Sequence, residues 1–282
     1  MTELRRLIVN ADDLGIAEGV DRGILEAHAA GVVTAASLLA NGGSFAHAVR
    51  LARAAPTLSI GVHLDFVAGR PLTKARSLVD ARSGRFHSLA RLAVLATLGR
   101  VAEDDVIGET TAQIARVRDA GLHVTHVDSH RHAHVIPAVW KGVALATEAA
   151  QAGPLRMPVE RLTMTRGRHG AGFAFRIAAL RAAAVIATRR RTVPAHPDHF
   201  AGLALQGRRD FAARLLALLD ALPLGTTELM VHPGRLDAAL SATDPYTAPR
   251  ETELAALLSA PIRQRLRRGD IRLVGFGEVG HS

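Results

Sequence analysis

The strongest constraint on the fold is an alternation along the chain between short apolar runs and longer segments of helical periodicity. The apolar runs predict eight strands, at residues 7–10, 32–40, 58–64, 123–128, 155–158, 198–203, 228–232 and 271–275. The helical patterns lie at residues 18–30, 45–54, 103–120, 138–152, 173–191, 209–221 and 251–268. This alternation is typical of a parallel sheet with crossover helices. The sequence therefore predicts the α/β class, with a single closed or partly closed (β/α) barrel-like domain of seven or eight units over residues 1–282.

Composition excludes several classes of protein. With 48% hydrophobic residues in 282, the chain can bury a sizeable core, which excludes disorder. It has no cysteine, so disulfides, thiolate zinc sites and a cysteine nucleophile are excluded, and any metal must be held by His, Asp or Glu. Neither a signal peptide nor an uncharged apolar stretch of the roughly 18 residues that a membrane span needs is present. We therefore expect a soluble, cytoplasmic protein.

The formal net charge is +9, and nearly all of the cationic residues are arginine. Such a balance can attract nucleic acid or an anionic membrane. However, the arginines are dispersed, and one Trp and one Tyr offer little surface for base stacking, so we expect no nucleic-acid partner.

The apolar segment 173–191 ends in three arginines. We expect its Ile177, Leu180 and Ala184 face to pack on the barrel, and peripheral contact with anionic lipid is the alternative.

Polar side chains are placed at the ends of the predicted strands. In a (β/α) barrel all the carboxyl ends of the strands open onto the same face, where active sites are built. The sequence therefore predicts an active site on that face. The residues in these positions are Asn10, Asp12, Asp13, His63, Asp65, His126, Asp128, His130, Arg156 and His232.

Asp12 and Asp13 are adjacent carboxylates after a buried strand. Either could cap the helix that starts near Ile16. Two carboxylates packed close together repel each other, however, and one of them needs a cation or a proton to relieve the repulsion. If one of them binds a metal, the other is free to act as a base.

Histidines are concentrated in residues 123–134, which hold five of the 14 in the chain. Neutral imidazole is a good ligand for divalent metals, and strand alternation places His126 and Asp128 on one face. For His132 and His134 the alternative is a solvated loop, which we favour for His132.

His232 ends a strand just before Pro-Gly, so it suits a general acid, with stabilisation of the turn as the alternative.

Four segments resemble the motifs of the YdjC-like carbohydrate deacetylases, a family that includes chitooligosaccharide deacetylases and hopanoid-biosynthesis deacetylases. These segments are LIVNADDLG at 7–15, GVHL at 61–64, THVDSH at 125–130 and ELMVHPG at 228–234. Supporting matches are VVT at 32–34, NG at 41–42, RMP at 156–158, PDHF at 197–200 and YTAPRETEL at 246–254. In order and spacing they cover nearly the whole chain, and together they are specific.

The resemblance implies a (β/α) barrel of the glycoside hydrolase/deacetylase type with one divalent metal at the strand ends. Carried over by motif, Asp13, His63 and His130 would bind the metal, Asp12 would be the base and His232 the acid. We assign Asn10 and Arg156 to substrate binding, and Arg156 could instead orient Asp12. Zinc is favoured by the two imidazoles, although Mg, Mn and Co also suit the ligand set.

The function that follows is removal of the N-acetyl group from an N-acetylated amino sugar or oligosaccharide, either free or lipid-linked. Another metal-dependent barrel hydrolase, such as a non-sugar amidohydrolase or a phosphoesterase, is the alternative enzyme. A non-catalytic sugar- or metal-binding protein is the alternative outside enzymes, although binding alone needs neither a base nor an acid. The sequence leaves a homodimer open.

Overall fold

The computed structural model describes residues 5–160, 171–188 and 194–279. Within them, the strands form one parallel sheet in the order β4-β3-β2-β1-β6-β5, and β7 pairs with the first residues of β1. The predicted barrel-like α/β fold is therefore confirmed. The strands are β1 (Arg5–Leu14), β2 (Ala35–Leu38), β3 (Ser59–Leu64), β4 (Val124–Ser129), β5 (His199–Ala201), β6 (Gly225–Val231) and β7 (Ile271–Leu273).

The predicted strand at 155–158 is not a regular strand, yet its segment bridges the two edges of the curled sheet. Leu155 makes a single parallel bridge to Val127 of β4, and Glu160 makes one to Phe200 of β5. Proline at 154 and 158 cannot donate a backbone hydrogen bond, which prevents a continuous ladder. The bridges nevertheless place Arg156, whose backbone N–H donates to Val127 at 2.9 Å, inside the ring of strands.

Helices connect the strands and cover the outside of the sheet. In the described part of the chain they are α1 (Glu18–Ala29), α2 (Phe45–Arg53), α3 (Leu89–Thr97), α4 (Glu103–Asp119), α5 (Pro137–Ala149), α6 (Ala171–Thr188), α7 (Phe211–Asp220), α8 (Ala238–Thr243), α9 (Ala248–Leu258) and α10 (Ala260–Leu266). The predicted helix at 251–268 is two helices, because Ser259 is extended and Pro261 starts a new first turn. Helix α3 lies between the predicted strand at 58–64 and the predicted helix at 103–120, where we predicted no helix.

Most of the core forms one large buried cluster, because the parallel strands are buried on both faces. Leu7, Val9 and Ala11 of β1 belong to the same buried cluster as residues of α1, α4, α5 and α7. No helix in the described residues is both long and apolar enough to cross a membrane.

Helix α6 packs against the protein through the predicted face. Ile177 and Ala184 are buried, and Leu180 packs on a small apolar cluster that also contains Leu203 and Met230. The predicted barrel-packing face is therefore confirmed for these residues. Residues 189–191, which hold the three closing arginines of the predicted segment, lie outside the described residues.

Candidate active site

A bulge at the end of β1 brings both carboxylates of Asp12 and Asp13 to the cavity at the mouth of the barrel. Neighbouring strand residues normally point to opposite faces. Here the pairing of β1 with β2 shifts register between Ala11 and Leu14, and Asp13 adopts a left-handed φ of 68°. A bulge beside an active site re-aims side chains, and both residues line the same cavity. Helix α1 has Ala17 as its N-cap with no side-chain cap, so neither aspartate caps it.

Asp13, His63 and His130 converge although they lie on three separate elements. The Oδ1 atom of Asp13 is 2.8 Å from His130 Nδ1 and 3.3 Å from His63 Nε2. One potential ligand atom from each residue lies within 4.8 Å of the others, and all three side chains are buried. One carboxylate and two imidazoles form a ligand set that zinc and other divalent ions accept, so the residues fit a metal.

Asp128 orients His63 from behind. Its Oδ1 atom lies 2.7 Å from His63 Nδ1, which leaves Nε2 of the ring facing Asp13. A carboxylate on the far nitrogen of a ligating histidine is the usual support of a metal site. Burial disfavours the charged imidazole, but the carboxylates of Asp128 and Asp12 outweigh it and raise the pKa of His63 to about 10.

Arg156 joins the carboxylates beneath the cavity. Its two terminal nitrogens donate to both oxygens of Asp12, each at 2.7 Å. Nε donates to Glu228 Oε1 at 2.7 Å, and Nη2 lies 2.8 Å from Asp128 Oδ2. One guanidinium faces three buried carboxylates, and burial raises the pKa of Glu228 to about 7.

The substrate-binding roles predicted for Asn10 and Arg156 do not fit their positions. Both are completely buried, and neither is among the described residues that line the cavity. The Asn10 amide donates instead to Asp12 Oδ1 at 2.9 Å and to Ser37 Oγ at 2.8 Å. Both side chains therefore orient the base candidate Asp12 from below, which is the alternative that we gave for Arg156.

His232 lies beside Asp12, with Nε2 4.0 Å from Asp12 Oδ2. Its backbone N–H donates to Glu253 Oε2 at 2.6 Å, and its ring meets the edge of the Tyr246 ring. The Tyr246 hydroxyl in turn donates to the other oxygen of Glu253. The segment that starts at Tyr246 therefore supports the acid candidate.

Arg250 is a site residue to which we assigned no role from the sequence. Its Nη2 atom donates to Asp13 Oδ2 and to Asp244 Oδ2, each at 2.6 Å. Burial opposes ionisation of Asp13, but Arg250 and His130 outweigh it and hold the pKa of Asp13 well below its usual range. The only sequence signal for Arg250 was the motif match at 246–254. That match singled out the segment but did not indicate that Arg250 contacts Asp13 and Asp244.

His126, His132 and His134 of the 123–134 segment are buried, so the solvated loop favoured for His132 is wrong, whereas His123 is exposed. His134 Nδ1 lies 2.5 Å from Ser129 Oγ, and its Nε2 lies 2.9 Å from the backbone oxygen of Arg156. His126 stacks on Phe276 below the cavity. Burial lowers the pKa of His126 to about 3 and that of His134 to about 4, so both imidazoles are neutral. A neutral ring can be buried without an opposite charge beside it.

The cavity has a volume of about 440 Å³ and a chemically mixed lining. The aspartates and histidines described above share it with apolar side chains, to which α3 and α6 each contribute a leucine. These apolar residues include Leu89, Leu180, Leu203 and Met230. A ligand in this cavity therefore meets both charged groups and apolar side chains.

Comparison with known proteins gives a consistent result. The family described as YdjC-like protein matches residues 6–268. A carbohydrate deacetylase of Brevibacillus brevis is 34% identical over 282 residues, covering 98% of this chain and 100% of the relative. A chitooligosaccharide deacetylase of Yersinia enterocolitica is 32% identical over 276 residues, covering 96% and 98%. A crystal structure of an Enterococcus faecalis protein superposes with a TM-score of 0.75 at 27% identity, covering 97% of this chain and 98% of the other.

Proposed function

Because the chain belongs to the YdjC-like protein family, we propose that it is a metal-dependent hydrolase that removes the N-acetyl group from an N-acetylated amino sugar. Relatives that match over nearly their whole length are named carbohydrate deacetylase and chitooligosaccharide deacetylase. The observation that carries the proposal is the placement of Asp12 and His232 beside the Asp13, His63 and His130 cluster in one cavity. A binding protein would need neither a base nor an acid at this position.

Asp13, His63 and His130 would hold the ion, which when bound acidifies water and stabilises negative charge on the acetyl oxygen. The side chains fit this role because their potential ligand atoms converge and are shielded from solvent. We propose Zn or Mg as the ion, with Mn and Co as further candidates, and the two imidazoles favour zinc.

The proton transfers fall to Asp12 and His232. Asp12 accepts a proton from the water that attacks the acetyl carbon, while Arg156 holds the carboxylate in place. His232 donates a proton to the sugar nitrogen as the carbon–nitrogen bond breaks, which makes the amine a competent leaving group. The amide and one water become the free amino sugar and acetate.

The test is acetate release by purified protein from N-acetylglucosamine and its oligomers, together with elemental analysis of the same sample. A phenyl phosphate and a cyclic amide are assayed in parallel, because they represent the phosphoesterase and amidohydrolase alternatives. We expect acetate from an acetylated sugar and one divalent ion per chain. Hydrolysis of only the phosphate or the cyclic amide would contradict the proposal.

The Asp12→Asn variant separates the roles within the site. We expect it to keep the metal and to lose at least about 100-fold in kcat, because the amide cannot accept the proton. Loss of both metal and turnover would show that Asp12 is a ligand rather than the base. The cytoplasmic location, a homodimer and peripheral membrane contact stay predictions.

A further inference from the structure

Asp13 uses its two carboxylate oxygens for different partners. Oδ1 lies 2.8 Å from His130 Nδ1 and 3.3 Å from His63 Nε2. Oδ2 accepts a hydrogen bond from Arg250 Nη2 at 2.6 Å. The carboxylate is therefore divided between the two imidazoles, with which it would share an ion, and a guanidinium to which the proposed chemistry gives no role.

Arg250 is held in place by contacts that do not depend on Asp13. Its side chain is completely buried, and Nε donates to the backbone oxygen of Tyr246 at 2.8 Å. Nη2 also donates to Asp244 Oδ2 at 2.6 Å, and the guanidinium carbon lies 5.4 Å from the centre of the Tyr246 ring. The aliphatic part packs against Gly234, where an added Cβ would lie 3.3 Å from Arg250 Cδ. The cation therefore has a fixed position beside Oδ2.

The charge of Arg250 makes the two oxygens of Asp13 unequal toward a metal ion. An ion bound through Oδ2 would share that oxygen with the guanidinium, and two cations on one atom repel each other. The repulsion is strong here because Asp13 and Arg250 are both buried and water does not screen them. An ion bound through Oδ1 avoids this repulsion and lies beside both imidazoles. The contacts therefore favour binding of the ion through one oxygen.

We propose that Arg250 is a positioning residue that makes Asp13 bind the metal ion through Oδ1 alone. The proposal rests on the metal site of the deacetylase function proposed above. One carboxylate oxygen and two imidazoles supply three ligand atoms, and catalytic zinc sites combine three protein ligands with an open position. A second oxygen from Asp13 would compete for that position. Arg250 therefore keeps the position free for the reaction.

A crystal structure of zinc-loaded wild-type protein measures the arrangement directly. We expect Asp13 Oδ1 at about 2.0–2.2 Å from the ion, the usual distance of a zinc-bound carboxylate oxygen. Oδ2 should lie beyond bonding distance and keep its hydrogen bond to Arg250. Two oxygens of Asp13 bonded to the ion, or an Arg250 side chain that has left Oδ2, would overturn the proposal.

A variant tests whether Arg250 is the cause. Arg250→Met keeps an unbranched side chain but has no donor, so Oδ2 becomes available to the ion. Cobalt(II) absorbs visible light more weakly as its coordination number rises. We therefore expect weaker visible absorption per bound Co²⁺ in Arg250→Met than in wild type, and a kcat that is lower by about 10–100-fold.

Arg265→Met is the matched control. Arg265 is also a buried arginine that contacts two aspartates, Asp220 and Asp270, but it is not among the described residues that line the cavity. This variant should match wild type in absorption per bound Co²⁺ and in kcat. Unchanged absorption per ion in Arg250→Met would overturn the proposal. If Arg250→Met does not fold, the zinc-loaded wild-type structure decides.

The outcomes distinguish this proposal from the function on which it rests. If Asp13 binds the ion through one oxygen and the protein releases no acetate, the catalytic proposal fails and the role of Arg250 stands. If an active deacetylase binds the ion through both oxygens, the role of Arg250 is wrong and the function stands. If no ion binds at Asp13, His63 and His130, the metal site and the role of Arg250 are both overturned.

Discussion

Arg156 contacts Asp12 with both terminal nitrogens, at 2.7 Å from each carboxylate oxygen, across 144 residues of sequence. The same guanidinium contacts Asp128 and Glu228, so it couples the base candidate to the carboxylate that orients His63. A planar, forked cation suits this arrangement, whereas a single ammonium group cannot make the same set of contacts. The geometry of both the base and a metal-ligand candidate therefore depends on one buried side chain.

Arg156→Lys should lower kcat by about 100-fold or more, because the lysine ammonium cannot hold both oxygens of Asp12 in place. The metal content should stay near that of wild type, since the cluster of Asp13, His63 and His130 is retained. Acetate-release kinetics measure kcat, and elemental analysis measures the metal content. Arg22→Lys on the exposed face of α1 is the control and should leave kcat unchanged. An Arg156→Lys enzyme with wild-type kcat would contradict this account of Asp12.

His63→Ala and His130→Ala should each abolish activity together with metal binding, because each removes one of three converging donors. Chelation of wild-type protein should have the same effect, and adding back a divalent ion should restore activity. Elemental analysis and acetate release measure both properties. His196→Ala, at an exposed position, should behave as wild type. A metal-free variant with full activity would show that the cluster is not the metal site.

Metal affinity should rise with pH. In the metal-free protein the carboxylates of Asp128 and Asp12 outweigh burial and raise the pKa of His63 to about 10, so near neutral pH the imidazole carries a proton that the metal must displace. We expect about one proton released from His63 per ion bound, and an apparent affinity that rises about tenfold per pH unit below 10.

Calorimetry of metal binding in buffers of different ionisation enthalpy counts the released protons. Asp128→Asn removes the largest attraction on the charged ring, so the pKa of His63 should fall and fewer protons should be released near neutral pH. Proton release that is the same in wild type and Asp128→Asn would contradict the prediction.

Glu228 should make stability depend on pH. Burial raises its pKa from 4.5 to about 7, so in this range the folded protein binds a proton that the unfolded chain releases. The free energy of unfolding therefore falls as pH rises from about 4.5 to about 7. The total loss of stability, about 3 kcal/mol, persists at higher pH. Glu228→Gln mimics the neutral form, so it should gain stability relative to wild type between pH 5 and 8.

Urea unfolding of the metal-free proteins over this pH range measures the difference. The exposed Glu18→Gln variant is the control, and its free energy of unfolding should differ from that of wild type by the same amount at every pH. A Glu228→Gln difference that does not change with pH would show that Glu228 is ionised throughout.

Much of the fold could be predicted because strand and helix periodicity are local properties of the sequence. The strand at 58–64 and the helix at 103–120 agree with β3 and α4 within one residue at each end. The segment at 155–158 was harder to predict, because Pro154 and Pro158 allow isolated bridges to β4 and β5 but no continuous ladder of hydrogen bonds. Whether such a segment closes the sheet depends on its neighbours in space rather than on its own pattern.

The candidate site was predictable where position along a strand was enough. Asp12, Asp13, His63 and His232 end strands, and parallel strands of a barrel open at one face, so these residues meet in one cavity. The contacts of Arg250 and the burial of His132 were not predictable in this way. Arg250 reaches Asp13 across 237 residues, and His132 is buried in a turn after β4 in which Arg131 and His132 both have left-handed φ values.

The amino-acid order alone determined the alternation of strands and helices and the placement of acids and histidines at the strand ends, because both follow from local periodicity. Only the tertiary structure decided which polar groups face the cavity and which lie beneath it. The bulge at Asp12 and Asp13 and the insertion of Arg156 among three carboxylates depend on how distant segments pack, and local periodicity carries no information about those directions.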